Sequence, residues 1–304
     1  MTDIASVSLA RPLEDLSGEL GRSFAEYGFA IVRDHGIPAD LIVRAEKMSR
    51  AFFDLPEETK RRYHQPGLGG ARGYTPFGIE RAKGAEVHDL KEFWHVGRTL
   101  PPGHSLEAYM APNVWPEELT EFRSTFEELF AAFDRTGLRI LSAIALHLEL
   151  ERDFFAATVE DGNSVMRLLH YPPVSPGAEG AIRAAAHEDI NTITLLLGAE
   201  EAGLELLAKD GSWLPVSPPE GALAVNIGDM LQRLTNGHLR STTHRVVNPS
   251  GPAARRSRYS MPFFLHFRPD FLIEPLPQCA DENAEPPITA HDYLQQRLRE
   301  INLA

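Results

Sequence analysis

Apolar residues change their spacing near the middle of this chain, and the change separates two kinds of structure. Over residues 13–27, Leu16, Leu20, Phe24 and Tyr27 recur every three or four positions. That is the spacing of one helix face, and Gly28 supplies a stop. The residues before it read as a short strand and a turn. Residues 29–32 are a short apolar run, predicting a buried strand. Pro38 and Asp40 open a second helix whose inner side carries Leu41, Ala45, Met48, Phe52 and Phe53. Pro56, Glu57 and Glu58 start a short third one, with acids in its first turn. A long helix is predicted over about 116–150, with Leu119, Phe122, Phe126, Leu129, Phe133, Leu141, Ile144 and Leu148 on one face. Gly137 is expected to break or bend it, and the phenylalanines read as core.

Beyond Asp161-Gly162 the texture is one of short apolar runs between turn residues. Strands are predicted at 165–171, 192–197, 204–207, 222–227, 241–247 and 259–266. Asp210-Gly211 and Asn236-Gly237 are tight-turn signals. Many short strands with such turns suggest a sandwich or barrel. A last helix over about 290–302 would pack Tyr293, Leu294, Leu298 and Ile301. The fold class is therefore mainly β with flanking helices, a double-stranded β-helix (jelly roll) supported by N-terminal helices. Residues 1–155 form the helical and strand region, 160–275 the jelly-roll core and 276–304 a closing segment and helix. No repeat or long linker divides them, so one cooperative unit is expected. Residues 65–73 are glycine-rich but lack the Lys-Ser/Thr of a phosphate loop; they read as a mobile loop at the mouth of a site. Residues 101–116 are a proline-rich connection.

Composition narrows the function classes. A formal net charge of −13 disfavours nucleic acid as a general partner. The single cysteine, Cys279, excludes an internal disulfide. There is no secretory pattern and no apolar run of membrane-spanning length, so a cytoplasmic location is expected. Oligomeric state is not legible.

The chemistry concentrates in His187-Glu188-Asp189 and a distant His244. Two imidazoles and one carboxylate can occupy one face of an iron(II) ion and leave the other face open. Strand alternation predicts that His187 and Asp189 face one cavity while Glu188 faces outward. Downstream, Arg258 and Ser260 share one face of an apolar strand. Arginine presents a planar fork that matches a carboxylate, and serine can add a donor. A buried arginine needs an anionic partner. That partner is either a protein carboxylate or a ligand's, and behind a metal triad the ligand is favoured.

The order H-x-D, H-R-V and R-x-S resembles the iron(II)- and 2-oxoglutarate-dependent oxygenases of the isopenicillin N synthase-like family, over nearly the whole chain. Residues 28–37 are similar to its G-F-strand-H-G-[IV] segment. Residues 52–60 resemble F-F-x-L-P-x-E-x-K, and Gly73-Tyr74 and residues 89–93 resemble its G-Y and D-[WL]-K-E-x-[FW] stretches. The resemblance implies that His187, Asp189 and His244 hold Fe(II) and that Arg258 and Ser260 bind the distal carboxylate of the co-substrate 2-oxoglutarate. It places Tyr171 in the same pocket. O2 would be consumed, succinate and carbon dioxide released, and a small organic molecule oxidised, most simply by hydroxylation. Where the family strand reads N-x-Y-P, this one has Leu169 for the asparagine, so one co-substrate contact differs. A family oxidase that dispenses with 2-oxoglutarate is the alternative activity, and a non-catalytic metal- and oxo-acid-binding sensor the alternative class.

Candidate substrate contacts are Arg72, Tyr74, Phe77, Phe93 and Arg167. Arg167 would meet a substrate carboxylate or an acid at the rim. Of the other histidines, His35 reads as a fold residue, His147 as part of the long helix and His238 as exposed. His170 should point away from Tyr171, and His266 is at most a distant neighbour of the site. Asn226 and Asp229 read as turn and cap residues, with Asn226 near the iron ligands.

Overall fold

Helix α1 (Leu13–Tyr27) ends at Gly28, whose φ of 69° is left-handed and whose amide bonds the Phe24 carbonyl at 3.0 Å. A side chain there is disfavoured twice: by the backbone conformation, and because a Cβ would lie 2.4 Å from the Arg240 carbonyl oxygen. The stop releases the chain into β2 (Phe29–Arg33), parallel to β1 (Ser6–Ser8). In this computed structural model residues 4–67, 70–79, 89–173, 182–197, 203–249 and 251–300 are described. Leu68, Gly69 and Ile301, which carried parts of the loop and last-helix expectations, lie outside them.

Helix α2 (Ala39–Phe53) buries Leu41, Ala45, Met48, Phe52 and Phe53, the face its spacing predicts. Then follow α3 (Glu57–Arg61), β3 (Gly73–Thr75), β4 (Glu92–Gly97), α4 (Phe122–His147) and α5 (Ala156–Val159). The second half supplies β5 (Val165–Tyr171), β6 (Ala184–His187), β7 (Ile193–Leu197), β8 (Leu204–Leu207), β9 (Trp213–Pro215) and β10 (Leu223–Ile227). It closes with α6 (Asp229–Leu234), β11 (His244–Val246), β12 (Arg258–Leu265), β13 (Leu272–Ile273), β14 (Ile288–Thr289) and α7 (Ala290–Glu300).

Among the described residues the strands form an eight-stranded sheet, β1-β2-β10-β7-β12-β5-β4-β3, a four-stranded sheet, β6-β11-β8-β9, and the pair β13-β14. The two larger sheets face each other as a double-stranded β-helix. Strands from the first 155 residues form both edges of the large sheet, so the first two sequence segments share one sheet, and residues of all three share one core.

Alternation along the strands sorts side chains to two faces. The outer face of the large sheet sends Leu195, Leu197, Val225, Met261, Phe263 and Leu265 against α1, α2 and α4. Phe133 of α4 stacks on Phe263 with ring centroids 5.2 Å apart. The inner face meets the small sheet through Phe29, Ala224, Leu206 and Val246, a smaller apolar cluster that leaves room for a cavity.

Several elements differ from expectation. The long helix starts at Phe122 rather than near 116, because Glu117 and Glu118 are drawn outward to Tyr63 and Arg62. It runs unbroken through Gly137, whose lack of a side chain admits Leu265: a Cβ there would lie 2.4 Å from that leucine's Cδ1. Asn236-Gly237 is not a hairpin turn. It ends α6, with φ of 46° and 80° and the Gly237 amide on the Gln232 carbonyl at 2.9 Å. Helix α6 itself was not expected, since six residues are too few for a periodicity. Strand β11 is confined to His244–Val246, and Ser241 makes only an isolated bridge to Ile227. No described helix is long and apolar enough to cross a membrane.

Candidate active site

Strands β6 and β11 are antiparallel neighbours in the small sheet, and their register sets His187 directly opposite His244. The two rings stand 4.4 Å apart, centroid to centroid. Strand β6 stops at His187, so Asp189 lies beyond the strand rather than within it. It still turns to the same cavity, while Glu188 turns away to accept a hydrogen bond from Thr243 Oγ1 at 2.8 Å. The outcome matches the alternation argument, but the cause is the bonding of the loop. The Asp229 amide donates to the Asp189 carbonyl at 2.7 Å, and Asn226 Nδ2 and Thr194 Oγ1 donate to its Oδ2 at 2.8 and 2.5 Å.

One ligand atom from each of His187, Asp189 and His244 lies within 4.8 Å of the others. His187 Nε2 is 3.9 Å from Asp189 Oδ1, and His244 Nε2 is 3.9 Å from Oδ2. These separations are too long for hydrogen bonds and suit groups that share a cation. The donor chemistry fits as well. His187 Nδ1 bonds the Ala185 carbonyl at 2.7 Å and His244 Nδ1 the Thr242 carbonyl at 3.0 Å. A carbonyl only accepts, so both protons sit on Nδ1, and each Nε2 keeps its lone pair at 3.9 Å from an Asp189 oxygen.

Electrostatics keep His187 and Asp189 in their ligating forms. Burial among protein groups, with His244 adding, pushes His187 down to about 4, although its ring edge opens to the cavity. Burial would raise Asp189, but the neighbouring imidazoles and the bonds from Asn226 and Thr194 hold it below the ordinary carboxylate value. Neutral imidazoles and an ionised carboxylate are the forms that bind a metal.

The triad opens on a cavity of about 570 Å³, mouth included. From the inner face of the large sheet come Arg258, Ser260, Pro262 and Phe264 of β12, Arg167, Leu169 and Tyr171 of β5, and Thr194, Leu196, Asn226 and Phe29. Register explains the grouping: Arg258 pairs with Tyr171 and Ser260 with Leu169. The Arg258 guanidinium lies 5.0 Å over the Tyr171 ring, and its Nη1 is 3.4 Å from Ser260 Oγ. Arg258 and Ser260 are both buried, yet line the cavity.

Of the candidate substrate contacts, Arg167 lines the cavity and donates to His95 Nε2 at 2.6 Å, its guanidinium 4.3 Å above the Phe93 ring. Phe93 packs beside it against Leu169 and Tyr171. Phe93 is not itself part of the lining, and the other three are not brought there either. Tyr74 pairs with Trp94 and shares its outward side, packing on Phe52 and donating its hydroxyl to Glu92. Arg72 is buried against Gly97 and donates to the Ala111 and Ala71 carbonyls. Phe77 is 42% exposed and is no part of the lining.

His170 turns from the cavity, as alternation requires, between Glu92 and Ser257. His35 bonds the Gly221 carbonyl, His147 packs over Gly21 and His238 is exposed. Lys91, Thr194 and Phe264 were missed. Lys91 lines the cavity while bonded to Asp89 at 2.8 Å. Strand parity with Phe93 and with Ser260 would have found Lys91 and Phe264.

Comparison with known proteins bears on the same residues. Residues 2–118 match the model of the N-terminal region of a non-haem dioxygenase in morphine synthesis, and residues 162–267 that of the 2OG-Fe(II) oxygenase superfamily. A 2-oxoglutarate-Fe(II) type oxidoreductase of Emericella nidulans is 35% identical over 90% of this chain and 81% of its own. A proline hydroxylase of Petromyces alliaceus is 35% identical over 91% of this chain and 90% of its own. The crystal structure of a 2OG-Fe(II) oxygenase family protein from Caulobacter crescentus superposes with a TM-score of 0.91 at 53% identity, covering 99% of both chains. A full-length Neurospora crassa protein, crystallised in complex with alpha-KG and thymine, gives 0.87 at 28% identity, over 97% of this chain and 96% of its own.

Proposed function

Since the chain belongs to the 2OG-Fe(II) oxygenase superfamily and is an Fe(II)- and 2-oxoglutarate-dependent dioxygenase, we propose which of its residues serve the reaction and what kind of molecule it oxidises. His187, Asp189 and His244 hold the iron. Arg258 and Ser260 bind the distal carboxylate of 2-oxoglutarate, with Tyr171 beside it. The primary substrate is a small organic molecule, oxidised by hydroxylation. The observation that carries this reading is the shared cavity: the two histidines of the small sheet and Asp189 just beyond it line the same space as Arg258, Ser260 and Tyr171 of the large one.

Bound iron and 2-oxoglutarate supply the oxidising power, with succinate and carbon dioxide as co-products. The chain supplies position and dryness. Asn226 and Thr194 fix the Asp189 carboxylate through Oδ2, in the position from which it would ligate the metal. Arg258 gives a charged, planar donor set at the far end of the co-substrate. Phe29, Leu196, Leu204, Val246 and Phe264 exclude water around the reacting groups. Leu169 stands where the family carries asparagine, so the keto-acid end of the co-substrate receives no side-chain amide from this strand.

A small substrate is supported by the relatives: one is a proline hydroxylase and another was crystallised with thymine. Arg167 is the contact proposed for it, with Phe93 packed against its guanidinium from behind the lining. Arg72, Tyr74 and Phe77 are withdrawn from that role by their placement.

Anaerobic ultraviolet–visible titration of the Fe(II)-loaded chain with 2-oxoglutarate tests the assignment. A weak visible charge-transfer band is expected on addition and is expected to be lost in Arg258→Ala at the same concentration. An identical titration curve in Arg258→Ala would remove that residue from the co-substrate site.

A further inference from the structure

Helix α6 holds two parts of the triad at once. Its first turn donates three amides to the segment after Asp189: Gly228 to the Thr192 carbonyl at 3.0 Å, Asp229 to Asp189 at 2.7 Å and Met230 to Asn191 at 3.1 Å. Its Gln232 Oε1 accepts from the Ser241 amide at 2.8 Å, at the approach to the strand that carries His244. The position of α6 therefore sets where Asp189 stands relative to His244.

Helix α7 grips α6 from the other side. Arg297 Nη2 lies 3.0 Å from Asp229 Oδ2, and its Nη1 lies 2.7 Å from Glu300 Oε2. Arg233 of α6 sits 5.3 Å from the Tyr293 ring. Asp229 is 3% exposed; burial raises its pKa to about 6, Glu188 and Asp189 add to that, and Ser241 and Arg297 oppose it. A buried carboxylate beside two others is costly unless a cation compensates it. Among the described residues, Arg297 is the cation paired with it.

We propose that Arg297 is a positioning residue for the metal triad, acting through Asp229 and α6 on the main chain of Asp189. The proposal rests on the assignment of His187, Asp189 and His244 to the metal. Removing Arg297 leaves the Asp229 charge without its cation, so the carboxylate pulls toward solvent and draws the first turn of α6 with it. The amide that holds the Asp189 carbonyl moves too.

The test is Co(II) affinity, measured on the metal-free full chain by competition with a chromogenic chelator and so independent of turnover. Arg297→Gln is expected to weaken Co(II) binding roughly 10-fold, the lower end of what outer-sphere changes do to metal sites. Arg297→Lys, which keeps the charge, should recover most of the loss. The double variant Asp229→Asn/Arg297→Gln should also recover it, because the uncompensated charge has gone. A purely structural strap would lower Tm in Arg297→Gln without changing Co(II) affinity, and that result overturns the proposal. So does a weakening that neither the lysine nor the double variant repairs. If Arg297→Gln does not fold, the comparison passes to the double variant, which must bind Co(II) like the wild type. A wild-type chain that bound no Co(II) would instead overturn the metal assignment itself.

Discussion

His187 and His244 are register partners across β6 and β11, and each ring is fixed by a bond from Nδ1 to the carbonyl two residues before it, Ala185 and Thr242. The same local device on two facing strands leaves each Nε2 atom 3.9 Å from an Asp189 oxygen. The two histidines are thus held in ligating form by backbone carbonyls just upstream of them, and Asp189 by the loop that follows β6.

Asp189→Ala should therefore remove the metal without unfolding the chain. The imidazoles keep their bonds to those carbonyls, while the ion loses its one anionic ligand. Expected are no retained iron and no succinate release, with a far-ultraviolet spectrum like that of the wild type. Wild-type succinate formation in this variant would refute the triad.

Arg258→Ala separates co-substrate from metal. A charge-assisted hydrogen bond is worth about 1.5–3 kcal/mol, so the 2-oxoglutarate requirement should rise by roughly 10- to 100-fold. Arg258 lies on the opposite sheet from His187 and His244, and Fe(II) affinity without co-substrate should be unchanged. Equilibrium titration of each ligand decides it.

Tyr74→Phe distinguishes a structural residue from a substrate contact. Its hydroxyl donates to Glu92, which also accepts from Lys60 at 2.8 Å and from His170 at 2.7 Å. Burial pushes Glu92 upward, and these three donors hold it below the ordinary value. Losing one donor to a buried carboxylate should cost about 1–3 kcal/mol of stability. The 2-oxoglutarate affinity and substrate-free succinate release should not change. A normal melting curve with altered turnover would return Tyr74 to the cavity.

How far such roles could be seen in the sequence depends on contrast along the chain. Helices α1 and α2 were legible because one face is apolar and the other is not. Strand β4 was not, because Glu92 to Gly97 are all buried and nothing alternates. Buried polar residues misled for the same reason. Tyr74 and Arg72 look like site residues in sequence, yet their partners, Glu92 and two carbonyls, are contacts that only the fold creates. His187, Asp189, His244, Arg258 and Ser260 could be found because their chemistry is scarce and their order informative. The outer supports Thr194 and α6 have no such signature.

Gly228→Ala probes the loop that positions Asp189. Its φ is −105°, which any residue can adopt, so the constraint is one of space. An added Cβ would lie 2.2 Å from the Asn191 carbonyl oxygen and 2.1 Å from its Oδ1. Overpacking of this kind costs about 1–3 kcal/mol. Here it also displaces Asn191, which donates to the Thr194 hydroxyl at 2.8 Å and thereby supports Asp189. Lower Tm should come with weaker Fe(II) binding. A Tm loss without any change in metal affinity would show that the loop absorbs the shift elsewhere.

The acid limit of the metal-free chain should trace partly to His266. Burial lowers it from 6.5 to about 4, and the charge of Arg72 works in the same direction against the Phe264 carbonyl and Asp189. Above pH 6.5 the ring is neutral in both folded and unfolded chains and has no effect on stability. As pH falls from there to about 4, the unfolded chain binds a proton that the folded one refuses. Stability present above pH 6.5 is therefore lost through that window, by about 3 kcal/mol from this group. His187 is lowered to about 4 as well, but its side chain is 42% exposed, so solvent screening makes its contribution to the slope smaller when no metal is bound. Denaturant unfolding between about pH 7 and 4.5 should show both. His266→Gln should be less stable near neutral pH, because it gives up a packed ring, yet lose stability with acid less steeply than the wild type. A slope equal to that of the wild type would mean that His266 accepts its proton in the folded chain at the ordinary pH.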